Sequence, residues 1–370
     1  MIKVLFIARY RDATMHRKVE LLAQMPDLSL CYILPRFWQD EFVRIEQSTS
    51  LSRNVQQVAV PMVGRTGDPH RTLYRTLAFK MNHFQPHIVH AEEEPDSLAA
   101  LQIALAQQVF APRAKLVLYT WQNMDRPKRW YVKAVFRATL QASDAMLCAN
   151  HEAVELLKQQ GYHKRVAAIP AIGVDTQVFV PDPSRTYDRA AFTVGYLGRL
   201  VPEKGIDTLI QAIERVARPV RLLIIGDGPQ RAALEAQATL LGDRVQFLGS
   251  VPPNQVTRRI TELDALVLPS RTTHVWKEQF GRVLIEAMAC KVPVVGSDSG
   301  AIPEVIGDAG LLFPEGNATV LAERLRQLID SHQLRQELAG RGYSRVMRYY
   351  TQEHIAVQTA EFYRTLQEAK

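Results

Sequence analysis

Short apolar runs rich in Val, Ile and Leu alternate with amphipathic stretches from one end of this chain to the other, and that rhythm leaves few folds open. In the first half, residues 3–8, 28–34, 55–60, 88–91, 115–120, 144–149 and 166–169 read as strands. Helical patterns over 71–84, 96–109, 129–141 and 151–160 separate several of them. The second half restarts with strands over 192–197, 221–225, 245–248, 265–268, 292–296 and 310–313. Helices fall between these strands, and about 320–366 reads as helix throughout. Such alternation predicts parallel sheets covered by helices, an α/β fold. The rhythm lapses at PAIGVDTQVFVPDPSRTYDRAAF, where prolines and a Gly-Val-Asp turn interrupt any period, as in a linker. The expectation is two doubly wound, Rossmann-like domains, 1–170 and 191–348, joined by a linker at 171–190 and followed by a last helix over 349–370.

The length suits this division, since 370 residues exceed one ordinary domain. A hydrophobic fraction of 47% and a charged fraction of 22% place the chain with globular proteins and exclude the disordered class. Cys31, Cys148 and Cys290 lie far apart in apolar stretches, which points to reduced core residues of a cytoplasmic protein. The opening MIKVLFIARYRD is strand-like and lacks the pattern of a signal peptide, and no apolar segment nears the roughly 20 residues of a membrane helix. Of the net charge of +7, residues 1–180 carry +6 (22 basic against 16 acidic) and residues 181–370 carry +1 (23 against 22). A basic first half suits an anionic membrane surface or a phosphorylated acceptor, and ordinary solubilising charge accounts for it equally well.

Three segments of the second half carry chemistry. In WKEQFGRVLIEAMA, Glu278 precedes an apolar helical run and Glu286 lies inside it. A carboxylate among apolar neighbours needs hydrogen-bond partners, and the diol of a ribose supplies them. Gln279, Phe280 and Gly281 place backbone N–H groups at the start of that helix, where an anion is favoured. In GYLGRLVPEKG, a strand ends at Gly198, and Arg199 and Lys204 straddle the turn that follows. Two cations there can neutralise a diphosphate without a metal; a surface Arg and Lys is the plainer reading. The third segment, Gly226-Asp227-Gly228 after Ile225, is a tight turn that lets backbone approach a ligand closely. There is no G-x-G-x-x-G and no G-x-x-x-x-G-K-[ST], which argues against a dinucleotide oxidoreductase and a P-loop NTPase. No D-x-D metal motif is present.

Taken in order, G-R…P-E-K-G, I-G-D-G-P, L-P-S and E-x₇-E followed by A-M-A resemble the donor half of the family 4 retaining glycosyltransferases (glycosyl transferases group 1) of the GT-B fold. The likeness spans about residues 195–306, with a weaker one over the whole chain. It implies that Arg199 and Lys204 hold a donor diphosphate, Glu286 the ribose and Glu278 the hydroxyls of the transferred sugar. It also implies that Gly198, Gly226, Asp227, Gly228, Val251, Gln279, Phe280 and Gly281 line the donor, and that the last helix returns to the first domain. The activity implied is transfer of a sugar from a UDP- or GDP-linked donor to an acceptor hydroxyl, with retention, no metal and no cofactor. The product would be a polysaccharide, glycolipid or other glycoconjugate. Two other readings share these motifs: a sugar phosphorylase or nucleotide-sugar epimerase of the same fold, and a non-catalytic nucleotide- or carbohydrate-binding scaffold.

The first half departs from the commonest pattern of that family. Thr120-Trp121-Gln122-Asn123 stands where many members carry a histidine, and resembles the W-Q-N subset, in which Asn123 or Gln122 would bond the sugar or acceptor. Arg9, His16 and Glu94 are further acceptor-side candidates, the last equally readable as an acidic first turn of a helix. Arg126, Arg129, Lys133 and Arg137 are spaced to share one helical face beside Trp130 and Phe136, which suits an anionic membrane surface as well as a solvated face. The expected partners are a nucleotide-sugar donor and a carbohydrate or lipid-linked acceptor. Nucleic acid is not expected, and the place is the cytoplasm, including the inner face of the membrane.

Overall fold

A computed structural model describes residues 1–10, 13–39, 44–46, 55–64, 68–183 and 191–368. It divides into two compact units, Met1–Gly173 with Gln352–Lys370, and Val174–Thr351. Residues 184–190 of the expected linker lie outside the described residues.

The first unit contains strands β1 (Ile2–Ile7), β2 (Leu28–Pro35), β3 (Phe37–Gln39), β4 (Arg44–Glu46), β5 (Gln56–Val60), β6 (Met62–Gly64), β7 (Thr72–Tyr74), β8 (Ile88–Ala91), β9 (Lys115–Thr120), β10 (Ala145–Cys148) and β11 (Arg165–Ala168). Its helices are α1 (Ala13–Ala23), α2 (Leu77–Phe84), α3 (Leu98–Phe110), α4 (Trp130–Ala142) and α5 (His151–Gln159). Seven strands form one sheet in the order β11-β10-β9-β8-β1-β2-β5, parallel at every pairing. The two-residue period of β1 shows why it is buried on both faces. Val4 and Phe6 enter one core cluster while Leu5 and Ile7 enter the other. Helix starts are set locally: Ser97 accepts from the Ala100 amide at 3.0 Å, and Asn150 from the Ala153 amide at 2.8 Å.

The second unit contains β12 (Phe192–Leu197), β13 (Val220–Ile225), β14 (Val245–Gly249), β15 (Ala265–Leu268), β16 (Val294–Ser297) and β17 (Leu311–Phe313). With them come α6 (Ile206–Arg215), α7 (Arg231–Ala238), α8 (Pro253–Thr261), α9 (Arg282–Ala289), α10 (Ile302–Ile306), α11 (Ala318–Asp330) and α12 (His332–Tyr349). The sheet order is β14-β13-β12-β15-β16-β17, again parallel. In both sheets the order reverses once, between β1 and β8 and between β12 and β15. Ligands of open α/β sheets bind beyond the strand ends at such reversals.

Three expectations need correction. The helix drawn over 71–84 begins only at Leu77, because Thr72–Tyr74 pairs antiparallel with Met62–Gly64. Leu73, Leu77, Met81 and Phe84 have helical spacing, so the pattern could not expose the hairpin. The helix drawn over 320–366 is three helices. Ser331 caps α12 by accepting from the Leu334 amide at 3.1 Å, and at the second break Val174 pairs with Thr351. The last helix, α13 (Gln352–Glu368), therefore starts after Tyr349 and not at it. Arg126 and Arg129 are not on a helix face with Lys133 and Arg137, since α4 begins at Trp130 with Arg129 at its cap.

Helix α13 is part of the first unit, where Ile355, Ala356, Ala360 and Tyr363 are fully buried among Val4, Phe6, Val19 and Leu22. Arg364 grips Asp27 with two hydrogen bonds of 2.7 and 3.0 Å. Inside, the Tyr363 hydroxyl and His90 Nδ1 are 2.5 Å apart, and burial drives the His90 pKa well below its usual value, leaving the ring neutral. Tyr363→Phe removes that partner while keeping the ring in the core. It should lower unfolding free energy by about 1–3 kcal/mol, read by urea denaturation, and an unchanged midpoint would show that the bond adds nothing.

Candidate functional site

In the second unit the sheet reversal gathers charged groups from separate segments. Leaving β12, the chain passes through Gly198 to an exposed Arg199, whose carbonyl accepts from the Tyr196 hydroxyl at 2.8 Å. A single 3₁₀ turn, Pro202–Lys204, then carries Lys204 into the protein. Its ammonium donates to Glu278 Oε2 at 2.7 Å and lies 4.8 Å from the centre of the Trp276 ring. Ser270, just beyond β15, donates to the same carboxylate oxygen at 2.7 Å. Arg199 stands 3.9 Å from Glu203, on the flank of this cluster. Glu278 is only 6% exposed, and a carboxylate so enclosed requires such partners.

Backbone contacts hold the arrangement. Gly226 has φ 136°, and a Cβ there would fall 1.9 Å from the Gly198 carbonyl oxygen, so the turns after β12 and β13 touch. Gly300, at φ 54°, likewise lies against the Glu278 carbonyl, which accepts from the Ala301 amide at 2.9 Å. Phe280 is buried and Gly281, with φ 79°, begins α9. The first amides of that helix have no acceptor within it, and its dipole is positive there. One turn on, Glu286 is buried and pairs with Arg282 at 2.7 Å.

The first unit repeats the plan. Arg9 leaves β1 and meets Glu93, from the end of β8, at 2.5 Å; the Tyr74 hydroxyl donates to the same carboxylate at 2.6 Å. Lys18 and Glu92 form a second, more deeply buried pair. Glu94 Oε1 accepts from the Trp121 amide and Oε2 from the Thr120 hydroxyl, each at 2.8 Å. Gln122 donates to Asp96 at 2.8 Å and accepts from Lys128 at 3.0 Å. Asn123 is buried and donates to Glu152 at 3.0 Å.

Of the residues singled out from sequence, the structure joins Lys204 to Glu278 directly and sets Arg199, Gly198 and Gly226 around the same strand ends. Asp227 turns instead to its own neighbours, accepting from the Gly228 amide at 2.7 Å and pairing with Arg231 at 3.3 Å. Val251 lies in the loop after β14, and Gln279 directly follows Glu278. His16 is buried against Tyr10 and Tyr32, its Nδ1 3.2 Å from the Tyr32 hydroxyl, which makes it part of an aromatic core. Sequence reasoning missed Ser270 and Trp276 around the Lys204–Glu278 pair, and Glu93, Tyr74, Asp96 and Lys128 in the first unit. Glu93 had a signal, adjoining Glu94 at a strand end; Tyr74 had none, sitting in the unrecognised hairpin.

Two Rossmann-like units, each with a cation–carboxylate pair at its sheet reversal, define a GT-B protein. Solved structures agree on this fold. Sucrose-phosphate synthase from Thermosynechococcus elongatus superimposes with a TM-score of 0.77 at 21% identity, over 100% of both chains. Anabaena HepE in complex with UDP superimposes with a TM-score of 0.76 at 19% identity, over 98% of this chain and 100% of that one. Residues 186–345 match the family Glycosyl transferases group 1. A GDP-mannose-dependent monoacylated alpha-(1-6)-phosphatidylinositol monomannoside mannosyltransferase of Corynebacterium glutamicum is 34% identical over 50% of this chain and 52% of its own. A phosphatidyl-myo-inositol mannosyltransferase of Mycobacterium leprae is 34% identical over 68% of this chain and 60% of its own. The chain thus spans about half the length of the curated relatives it matches.

Glu94 yields a pH prediction. Loss of water raises its pKa from 4.5 to about 7, against the opposing pull of the Trp121 and Thr120 hydrogen bonds. A carboxyl raised on folding stabilises the fold fully below its unfolded pKa and loses that contribution as pH rises through the folded value. Between about pH 4.5 and 7, unfolding free energy should therefore fall more steeply in the wild type than in Glu94→Gln. Parallel slopes in urea titrations of the two proteins would remove Glu94 as the cause.

Proposed function

We propose that this protein transfers a sugar from a nucleoside-diphosphate sugar to an acceptor hydroxyl, with retention of configuration and without a metal. The observation that carries the reading is the Lys204–Glu278 pair at the β12–β15 reversal, flanked by Arg199 and the start of α9. When the glycosidic bond to the donor breaks, negative charge grows on the departing diphosphate. Arg199, Lys204 and the amides of α9 would meet that charge, and fixed donors of this kind act on the transition state more than on bound substrate. Glu278 would accept hydrogen bonds from hydroxyls of the sugar, and Glu286 would hold the ribose diol. The departing phosphate serves as base for the acceptor hydroxyl on the same face.

The donor is GDP- or UDP-linked. The relatives' names supply GDP-mannose as the first probe, and the complexes of HepE supply UDP. The mannosyltransferases' lipid acceptors point to a glycolipid or lipid-linked acceptor, with Asn123, Gln122, Glu94 and Arg9 on the acceptor side. Among the described residues no helix is long and apolar enough to cross a membrane. Contact with an anionic inner membrane face would then fall to the basic segment containing Arg126, Arg129, Lys133 and Arg137.

Thermal unfolding with UDP and GDP tests the donor site. At about 100 times its dissociation constant the right nucleotide adds roughly 2.7 kcal/mol of stability to the wild type, and this should vanish in Glu286→Ala. Lys204→Ala should lower kcat for the matching sugar nucleotide about 10²-fold or more, with the product anomer read by NMR. Stabilisation by neither nucleotide, or full turnover in a folded Lys204→Ala protein, would overturn the reading.

A further inference from the structure

Beside α4 the first unit holds a cavity of about 270 Å³, close to the small end of ligand pockets at about 300 Å³. The loop before the helix supplies Arg126 and Lys128 to its wall, and the helix supplies Lys133 and Arg137. Phe136 and Leu140 form an apolar floor. The single carboxylate of the lining, Asp125, accepts from Gln160 at 3.1 Å. Four cations therefore face one small space with one anion among them.

The arrangement works against its own helix. Lys133 and Arg137 are four residues apart, a like-charge pair that destabilises a helix by a few tenths of a kcal/mol. Arg129 at its cap and Lys133 in its first turn put cations at the end of α4 where the dipole favours anions. Among the described residues no carboxylate pairs with Arg126, Lys133 or Arg137, and Arg126 Nε is buried without a hydrogen-bond partner. Lys128 is held in place by Gln122 at 3.0 Å and by Asp96 at 3.8 Å, its ammonium 5.3 Å from the centre of the Phe136 ring. A buried guanidinium N–H needs an acceptor. A group with several acceptor oxygens and more than one negative charge would satisfy all four side chains together.

We propose that this cavity is a phosphate-binding site, taking a phosphoester group between Arg126, Lys133 and Arg137 with Lys128 behind them. Its apolar floor lowers the local dielectric and strengthens each contact. Trp130, 81% exposed, and Tyr131 stand at the start of the same helix. Aromatic rings in that position suit the headgroup region of a bilayer, so the phosphate can belong to a lipid or to a soluble ester. The site is distinct from the donor site and does not depend on the transfer reaction.

Binding, not activity, tests it. The full-length protein is titrated calorimetrically with glycerol 3-phosphate, and floated with phosphatidylcholine vesicles made with and without phosphatidic acid. We expect binding to the soluble ester or to the phosphatidic acid vesicles. Binding to the ester marks a free phosphoester as sufficient; binding to the vesicles alone marks a lipid headgroup. Arg126→Ala should weaken binding about tenfold or more, the loss of one charged hydrogen bond. The double variant Lys133→Ala/Arg137→Ala should do the same, and its two exposed positions make it a test independent of any folding defect in Arg126→Ala. Arg113→Ala, an exposed cation outside both the cavity wall and the basic segment around α4, should bind as the wild type does. The proposal fails if neither form of phosphate binds. It fails equally if Arg113→Ala loses as much as Arg126→Ala, which would mark a diffuse basic surface.

Discussion

In the main sheet of each unit the strands run parallel, so every one of them must be reached by a crossover that returns the chain to the same end of the sheet. That constraint decides where chemistry can sit. The loops beyond the strand ends gather on one edge. Where the strand order reverses, neighbouring loops turn to opposite faces and leave an opening. In the second unit the reversal lies between β12 and β15, which brings Arg199 and Lys204 from one side and Ser270 from the other. In the first it lies between β1 and β8, and brings Arg9 to Glu93. Residues 74 and 84 positions apart in sequence thus become partners without a specific loop having to find its target.

The cluster around Glu278 is held by backbone contacts as well as by its charges. Gly226 lets the turns after β12 and β13 touch, and Gly300 sets the chain after β16 against the Glu278 backbone. Side chains at these positions would push the loops apart, and the carboxylate with them. Glu278 is therefore fixed through its main chain by Ala301 and through its oxygen by Lys204 and Ser270. A group held on both counts is already oriented before a ligand arrives, which is what electrostatic preorganisation requires.

The first unit spreads its charge differently. Its buried pairs, Arg9 with Glu93 and Lys18 with Glu92, are compensated inside the protein. The excess positive charge stands elsewhere, along α4 and the loop before it, where compensation within the fold is incomplete. The unit also depends on a helix from the far end of the chain. Without α13, Val4, Phe6 and Leu22 would face water, and His90 would lose Tyr363.

Much of this was legible in the order of residues. Apolar runs with a period of two and helices with a period near 3.6 are local properties, and they located the sheet strands to within a residue or two. The motifs around Arg199, Lys204, Glu278 and Glu286 stand in short contiguous segments, and the structure brings Lys204 to Glu278 across two of them. The hairpin of β6 and β7 was not, since Leu73 to Phe84 also fits a helix and only pairing with Met62–Gly64 decides between them. The burial of His16 among tyrosines, the sharing of Glu278 between Lys204 and Ser270, and the assembly of Arg126, Lys128, Lys133 and Arg137 around one cavity were likewise decided by tertiary structure. Each depends on side chains from separate elements meeting at hydrogen-bonding or packing distance, and a linear sequence carries no record of distance between elements. The sequence by itself determined the two-unit α/β plan and which charged groups stand near its strand ends; packing decided which of those groups became partners.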